Sequence, residues 1–577
     1  MIETFESPLS PDERYGDLLS VVQESRVFPD GMDFVRMRPL SPDERINAEF
    51  AQLTYDDPAL LGDFVVRHFA PLVPLTSRYQ QQQRTLDEHV RYMLTDVLVC
   101  HEPDVTAPYI AVPHRFVTPD DVRFGNVKFN WDDDPTVDGV LALDDYDLAE
   151  DIVKNKAYLR DKFGFEPNGT LTCFLRRGQP FVFPETVSML GEAYLARGGS
   201  PTDPEYPPIK YLPQMVKEMQ WWERGIAYLE QHSNEVANEH VVRMPEGYMF
   251  RYFNLKPVPR PESYWQDAAT ARLAQRYNKF VDLSKVYTDI GAAAESGFDF
   301  SAERWCADGR NMHTIQTTNI LPVDHNSLIV EAKNKIAESY ELSMLVPGKS
   351  RKYKEMARHE ARRYRTEAKQ LTEMINKYCW NEDTGMYHDY DFVRQYRDST
   401  PIRANQTAAQ SLAGVFPLLA GVASQGQANS VASRLKHDFL LQGGLATTLN
   451  NTEQQWDGDM SWPILNRKAQ KALQKYGHDD IAGLIRGRFV AATSKIYNET
   501  GKVYEKINAR TVTKGTAGEY DVTGDFAMSL GVVAAMRKEI FAERDLLTAE
   551  NGHGQSRRRF RLALVAAALA FEGGLHV

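Results

Sequence analysis

The 577-residue sequence holds only four cysteines, Cys100, Cys173, Cys306 and Cys379. None forms a Cys-x-x-Cys pair, which excludes a zinc knuckle or a dithiol redox motif. A disulfide scaffold is excluded at that density. There is no basic excess: 67 Lys and Arg stand against 79 Asp and Glu, a formal charge of -12. A nucleic-acid partner, which needs a basic face, is therefore not expected. Apolar runs such as Val97-Leu98-Val99 are too short to span a bilayer. No Gly/Ser-rich linker and no self-similar repeat divides the chain. The first residues, Met1-Ile2-Glu3-Thr4-Phe5-Glu6-Ser7-Pro8, are acidic and lack the apolar run of a secretory signal. A cytoplasmic protein is expected from that.

What remains is a globular composition, 42% hydrophobic and 25% charged, long enough to bury a core without staples. Apolar residues recur at three- and four-residue spacing over 18–27, 90–99, 148–163, 187–195, 215–229, 328–345, 353–378, 408–423 and 481–496, which predicts helices there. Asp324 precedes one of them as a candidate N-cap. Between them lie long connections rich in Gly, Pro, Asn and aromatics: 113–139, 165–184, 251–265, 298–325, 443–462 and 503–526. Loops of that length in a compact domain tend to carry function. At the C-terminus a basic cluster, Arg557-Arg558-Arg559-Phe560-Arg561, leads into a short apolar run read as a docking helix or a disordered tail.

The most informative stretch is Glu295-Ser296-Gly297-Phe298-Asp299-Phe300-Ser301-Ala302-Glu303-Arg304-Trp305. It sets a carboxylate, Asp299, between two aromatic rings. Poor hydration there favours the protonated form that a general acid needs near neutral pH. Aromatic faces beside it are platforms of the kind that sugar rings stack on.

This stretch resembles the core motif of the trehalases, glycoside hydrolase family 37, usually written Glu-Ser-Gly-Trp-Asp-Phe-Ser-Ser-Arg-Trp. The similarity runs in order from about residue 15 to about residue 537. It includes Val27-Phe28-Pro29-Asp30, Glu166-Pro167-Asn168-Gly169, Leu175-Arg176-Arg177-Gly178-Gln179-Pro180, Pro259-Arg260-Pro261-Glu262-Ser263, Leu321-Pro322-Val323-Asp324-His325, Gln455-Trp456-Asp457 and Gly518-Glu519-Tyr520. The resemblance implies an all-α fold, an (α/α)6 toroid with its active site at one mouth. Residues 1–110 are expected as an N-terminal helical extension, 111–545 as the toroid and 546–577 as a tail. It implies an inverting hydrolase of α,α-trehalose with no cofactor or metal. Such chemistry uses two carboxyl groups roughly 6.5–9.5 Å apart, one protonating the leaving oxygen and one activating water. By similarity Asp299 is the acid and Glu519 the base. Glu505, in Val503-Tyr504-Glu505-Lys506, is the rival base. Arg123, Arg177 and Arg260 fall where the resemblance puts substrate arginines, with Asp132, Asn168, Gln179 and Glu262 as polar companions. Phe124, Trp131 and Trp456 would form aromatic walls, and Gly297 belongs to the acid loop. A small disaccharide or α-glucoside is the expected partner, and a monomer the expected state.

Departures from the family pattern concentrate on the leaving-group side and on the family's glycine-rich lid. Here the lid reads Lys514-Gly515-Thr516-Ala517-Gly518, with its glycine run shortened, and the stretch downstream reads Thr523-Gly524-Asp525-Phe526-Ala527. The first signature has become Val122-Arg123-Phe124-Gly125-Asn126-Val127-Lys128-Phe129-Asn130-Trp131-Asp132, Phe298 replaces Trp, and Gly458-Asp459-Met460-Ser461-Trp462-Pro463 follows Asp457. They leave two alternatives: a hydrolase of another α-glucoside, or a sugar-binding relative without catalysis.

Overall fold

The computed structural model describes residues 8–53, 57–70, 78–101, 108–121, 123–394, 401–516, 518 and 521–549. The expected tail lies, from residue 550 onward, outside the described residues. The body is mostly helical and closes into a ring. Asp133–Ala142, Phe183–Ala196, Val323–Ser343, Phe416–Leu419, Pro463–Lys475 and Ala527–Ala549 pack each on the next, and the last returns to the first. Longer helices back them: Arg351–Tyr378 lies along Val323–Ser343, and Asp479–Thr500 along Pro463–Lys475. Arg351–Tyr378 shows why such a helix forms. Ser350 caps it by accepting from the Tyr353 amide, and its buried residues Ala357, Ala361, Tyr364, Ala368, Leu371, Ile375 and Tyr378 make one apolar stripe.

Closure depends on two glycines. A Cβ on Gly139 would stand 2.3 Å from Gly531 Cα, and one on Gly531 would stand 2.3 Å from the Pro135 carbonyl oxygen. The first and last ring helices therefore touch backbone to backbone. Apolar side chains of the ring helices share one core, and Lys468 and Arg467, buried among them, are paired, as burial requires. Lys468 reaches Asp134 at 2.7 Å and also Glu185, while Arg467 reaches Asp138 at 2.8 Å and Glu539 at 2.6 Å.

A second apolar core joins the N-terminal helices to the ring loops. Tyr15, Leu18, Phe34, Phe64 and Phe69 pack with Phe124, Leu171 and Phe174. Short strands complete the picture. Met460–Ser461 pairs antiparallel with Ile507–Asn508, which pairs with Thr513–Lys514. That small sheet ties the loop after Trp456 to the loop after Glu505.

Three sequence-based expectations change. The spacing over 408–423 yields a tight turn and the four-residue Phe416–Leu419 helix, since Gly414, Pro417 and Gly421 interrupt it. Asp133–Ala142 begins inside the expected connection 113–139 and runs three residues past it. Asp324 is no cap: the helix begins at Val323, and the Asp324 carboxylate turns to Arg304 at 2.9 Å.

Gly139→Ala is expected to destabilise the fold by about 2 kcal/mol, because overpacking against a backbone outweighs the gain of about 1 kcal/mol in helix propensity. Urea denaturation of the variant and the parent measures it.

Candidate active site

The loops that precede ring helices meet at one mouth. Asp299 sits between Leu283–Glu295 and Ala302–Trp305. Gly297 has φ +74°, and a Cβ there would press on the Trp131 indole at 3.3 Å. Only glycine accepts both conditions without strain. Below the loop, the Asp457 carboxylate accepts from the Ser301 hydroxyl and from the Ala302 amide at 2.8 Å, which fixes the start of the short helix. Burial pushes the Asp457 carboxyl up to about 6, against the lowering by its hydroxyl partners Ser301 and Thr452. Arg304 lies 4.4 Å from the Phe298 ring and is held by Asp324 and Asp389. The Gln455 amide donates to the Asp299 carbonyl oxygen.

These loops line a cavity of about 990 Å³, measured out to its open mouth. Every expected site residue that is described lines it: Asp299, Arg123, Phe124, Trp131, Asp132, Asn168, Arg177, Gln179, Arg260, Glu262, Gly297 and Trp456. Glu519 lies outside the described residues. Glu505 lines the same cavity. Its carboxylate accepts from Lys506 Nζ at 3.1 Å, and Lys506 also donates to Gln455 at 2.8 Å.

Five carboxyl groups line the cavity: Asp30 and Glu262, each paired with an arginine, and Asp132, Asp299 and Glu505. Burial, then the charges of Glu505, Asp133 and Asp299, push the Asp132 carboxyl well above the ordinary carboxylate range, with Lys156 opposing them. Its two neighbours in the Asp-Asp-Asp run turn away. Asp133 pairs with Lys128, and Asp134 with Lys468.

The arginines are held differently from one another. Arg177 reaches Glu262 at 2.8 Å, while Arg177 Nε and Glu262 Oε2 are buried with no protein partner among the described residues. Burial would raise the Glu262 carboxyl, but Arg177 and Arg260 hold it below its ordinary value. Arg260 forms its ion pair with Asp267 at 2.7 Å and lies 5.0 Å from the Phe300 ring. Arg123 pairs with Asp30 at 2.9 Å. Donors and acceptors fixed in this way suit sugar hydroxyls.

The aromatic wall is larger than the sequence indicated. Trp456 stacks on Trp462 at 3.8 Å and 3°, and both line the cavity. Phe129 meets Phe124 and Phe174 edge-on at 5.2 and 5.3 Å. Phe298 lies buried behind Trp456, 4.8 Å from it, so the Phe-for-Trp departure falls in the packing and not among the lining residues. Trp462 and Phe526 stand in stretches that read only as departures from the family pattern. Asp30 stood in a matched motif to which no role attached.

A helical ring with carboxyl groups, arginines and aromatic walls at one mouth defines the toroidal class of glycoside hydrolases. The family model described as Trehalase matches residues 71–540, and the chain belongs to the trehalase family. It is 34% identical over 535 residues to a periplasmic trehalase of Xanthomonas axonopodis pv. citri, covering 91% of this chain and 86% of the relative. It is 34% identical over 532 residues to a periplasmic trehalase of Pseudomonas aeruginosa, covering 91% and 90%. In fold it is similar to the neutral trehalase Nth1 of Saccharomyces cerevisiae, with TM-score 0.56, 18% identity, and 97% and 94% of the two chains covered. The toroid expected from the sequence is thus present. The cytoplasmic expectation is overturned, because these bacterial relatives are periplasmic trehalases. It rested on a missing apolar run in the first residues, and the folded body encodes no address. Among the described residues no helix is long and apolar enough to cross a membrane.

Asp132→Asn gives a test of the crowded carboxyl groups. In the unfolded chain Asp132 ionises near pH 4, whereas in the fold it stays protonated to higher pH. The unfolded state therefore gains as pH rises above about 4, and the native protein loses stability. The variant removes that loss. Its melting temperature is expected to exceed the parent's at pH 7, with the difference shrinking toward pH 4, as followed by thermal melts across that range.

Proposed function

We propose that this protein hydrolyses α,α-trehalose to two glucose molecules with inversion, Asp299 acting as general acid and Glu505 as general base. The observation that carries the reading is the convergence of Asp299 and Glu505 on one cavity already lined by Arg123, Arg177, Arg260 and the stacked Trp456 and Trp462. Asp299 gives its proton to the glycosidic oxygen as the bond to the anomeric carbon breaks. The base takes a proton from a water that attacks that carbon from the opposite face. One product leaves as α-glucose and the other as β-glucose. Arg177, Arg260, Asn168, Gln179, Asp132 and Glu262 hold hydroxyls, while Phe124, Trp131 and Trp456 pack on ring faces. Gly297 lets the acid loop lie under Trp131.

Glu519 is the base that the family resemblance favours. Glu505 is preferred because it lines the same cavity as Asp299. The site is completed by one chain, which supports a monomer, and the relatives' names support the periplasm as its compartment. Residues 1–110 serve in this reading as an extension packed on the 111–545 toroid.

Proton NMR of the first turnovers on trehalose is expected to show equal α- and β-glucose; two α products would mean retention, with the second carboxylate attacking carbon instead of activating water. Asp299→Asn and Glu505→Gln should each lower kcat by about 10²–10⁴-fold, the usual worth of positioned acid–base groups. Full turnover by Glu505→Gln together with loss in Glu519→Gln would move the base to Glu519. Among trehalose, kojibiose, sucrose and maltose, trehalose should give the highest kcat/KM.

A further inference from the structure

The N-terminal helices reach the cavity. Asp30 and Met32 line it, although they precede the first ring helix by about a hundred residues. Asp30 does two jobs with its two oxygens. Oδ1 accepts from the Met32 amide at 3.0 Å and starts the Gly31–Arg36 helix. Oδ2 accepts from Arg123 Nη2 at 2.9 Å. Arg36, on the same helix, donates to the Arg123 carbonyl oxygen. Arg123 is thus gripped at side chain and backbone by one short segment of the N-terminal region.

That segment is itself fixed against the opposite wall. Gln23 Nε2 donates to the Gly31 carbonyl at 2.8 Å and to the Pro261 carbonyl at 3.0 Å. A Cβ on Gly31 would stand 2.5 Å from the Glu262 carbonyl oxygen, so the two backbones touch. Arg26 lies 3.8 Å from the Trp265 ring. The turn at 30–32 therefore bridges the Arg123 loop and the loop that carries Arg260 and Glu262.

We propose that Asp30 is a positioning residue for the substrate site. Its carboxylate holds the Arg123 guanidinium at the cavity, so the N-terminal helices set the affinity for the disaccharide. An arginine side chain has many rotamers, and holding one in advance removes an ordering cost that binding would otherwise bear. The effect belongs to binding and not to proton transfer, because both Asp30 oxygens are already engaged, one by the Met32 amide and one by Arg123. The inference rests on the reading of the cavity as a trehalose-hydrolysing site.

The test is Asp30→Asn in the full chain, since asparagine caps a helix start as well as aspartate does. The control is Asp43→Asn, which removes the Arg14–Asp43 pair at 2.9 Å in the same helical region but away from the cavity. With trehalose, Asp30→Asn should raise KM by about tenfold, the scale of a lost charged hydrogen bond, and change kcat by less than about threefold. Asp43→Asn should leave both near the parent's values. An unchanged KM in Asp30→Asn, with or without a lower Tm, overturns the proposal, as does an equal rise in Asp43→Asn. A parent protein that turns over no trehalose would instead remove the functional reading on which the inference stands.

Discussion

The backbone contact between Gly139 and Gly531 is the constraint on which the rest depends. It lets the last ring helix lie against the first, and both helices carry cavity residues at their starts. Trp131 and Asp132 precede Asp133–Ala142, while Phe526 and Met528 stand at the start of Ala527–Ala549, with Glu505 in the loop before it. A side chain at either glycine would force the pair apart and open the carboxyl cluster. The paired charges inside the ring, Lys468 with Asp134 and Arg467 with Asp138 and Glu539, add a requirement of register. A helix that slid by one residue would leave a buried charge alone, at a cost far above that of a lost apolar contact.

The acid loop is secured by the same logic at smaller scale. Arg304 lies beneath Phe298 and joins Asp324, at the head of one ring helix, to Asp389. Asp457 holds the turn after Asp299, and Trp456 donates its amide to the Phe300 carbonyl at 3.0 Å. Asp299 itself is left half-buried on the cavity, with its neighbours Phe298 and Phe300 turned into the core. The replacement of the family tryptophan by Phe298 therefore changes packing behind the wall. The lining tryptophans come from elsewhere, Trp456 and Trp462, stacked face to face.

The cavity is also less local than its motifs. Ring loops supply Asp132, Asp299, Glu505 and all three arginines, but one arginine, Arg123, leans on Asp30 from the N-terminal helices. The second apolar core, where Phe34 and Phe69 meet Phe124 and Phe174, explains how a segment so early in the chain comes to stand there. Aromatic packing brings the helices to the ring, and the ion pair then selects the orientation.

Much of this was legible in the residue order. Helical spacing exposed the long amphipathic helices, such as Arg351–Tyr378, because one apolar face repeats along them. It missed Asp133–Ala142, whose buried residues run all round and include Asp134, a charge satisfied by the distant Lys468. The motif around Asp299, the arginines and Trp456 were recognisable as short strings of chemistry. Their convergence was not, nor was the place of Glu505 beside Asp132, nor the pairing of Arg260 with Asp267 and of Arg177 with Glu262. Residue order alone carried the helical class, the family pattern and the kinds of side chain available. Only the fold settles which of them face one cavity and which carboxyl, Asp132, is pushed above its ordinary range. The reason is physical: periodicity and motifs are properties of neighbours along the chain, whereas burial, charge pairing and pKa arise between groups that only ring closure brings together.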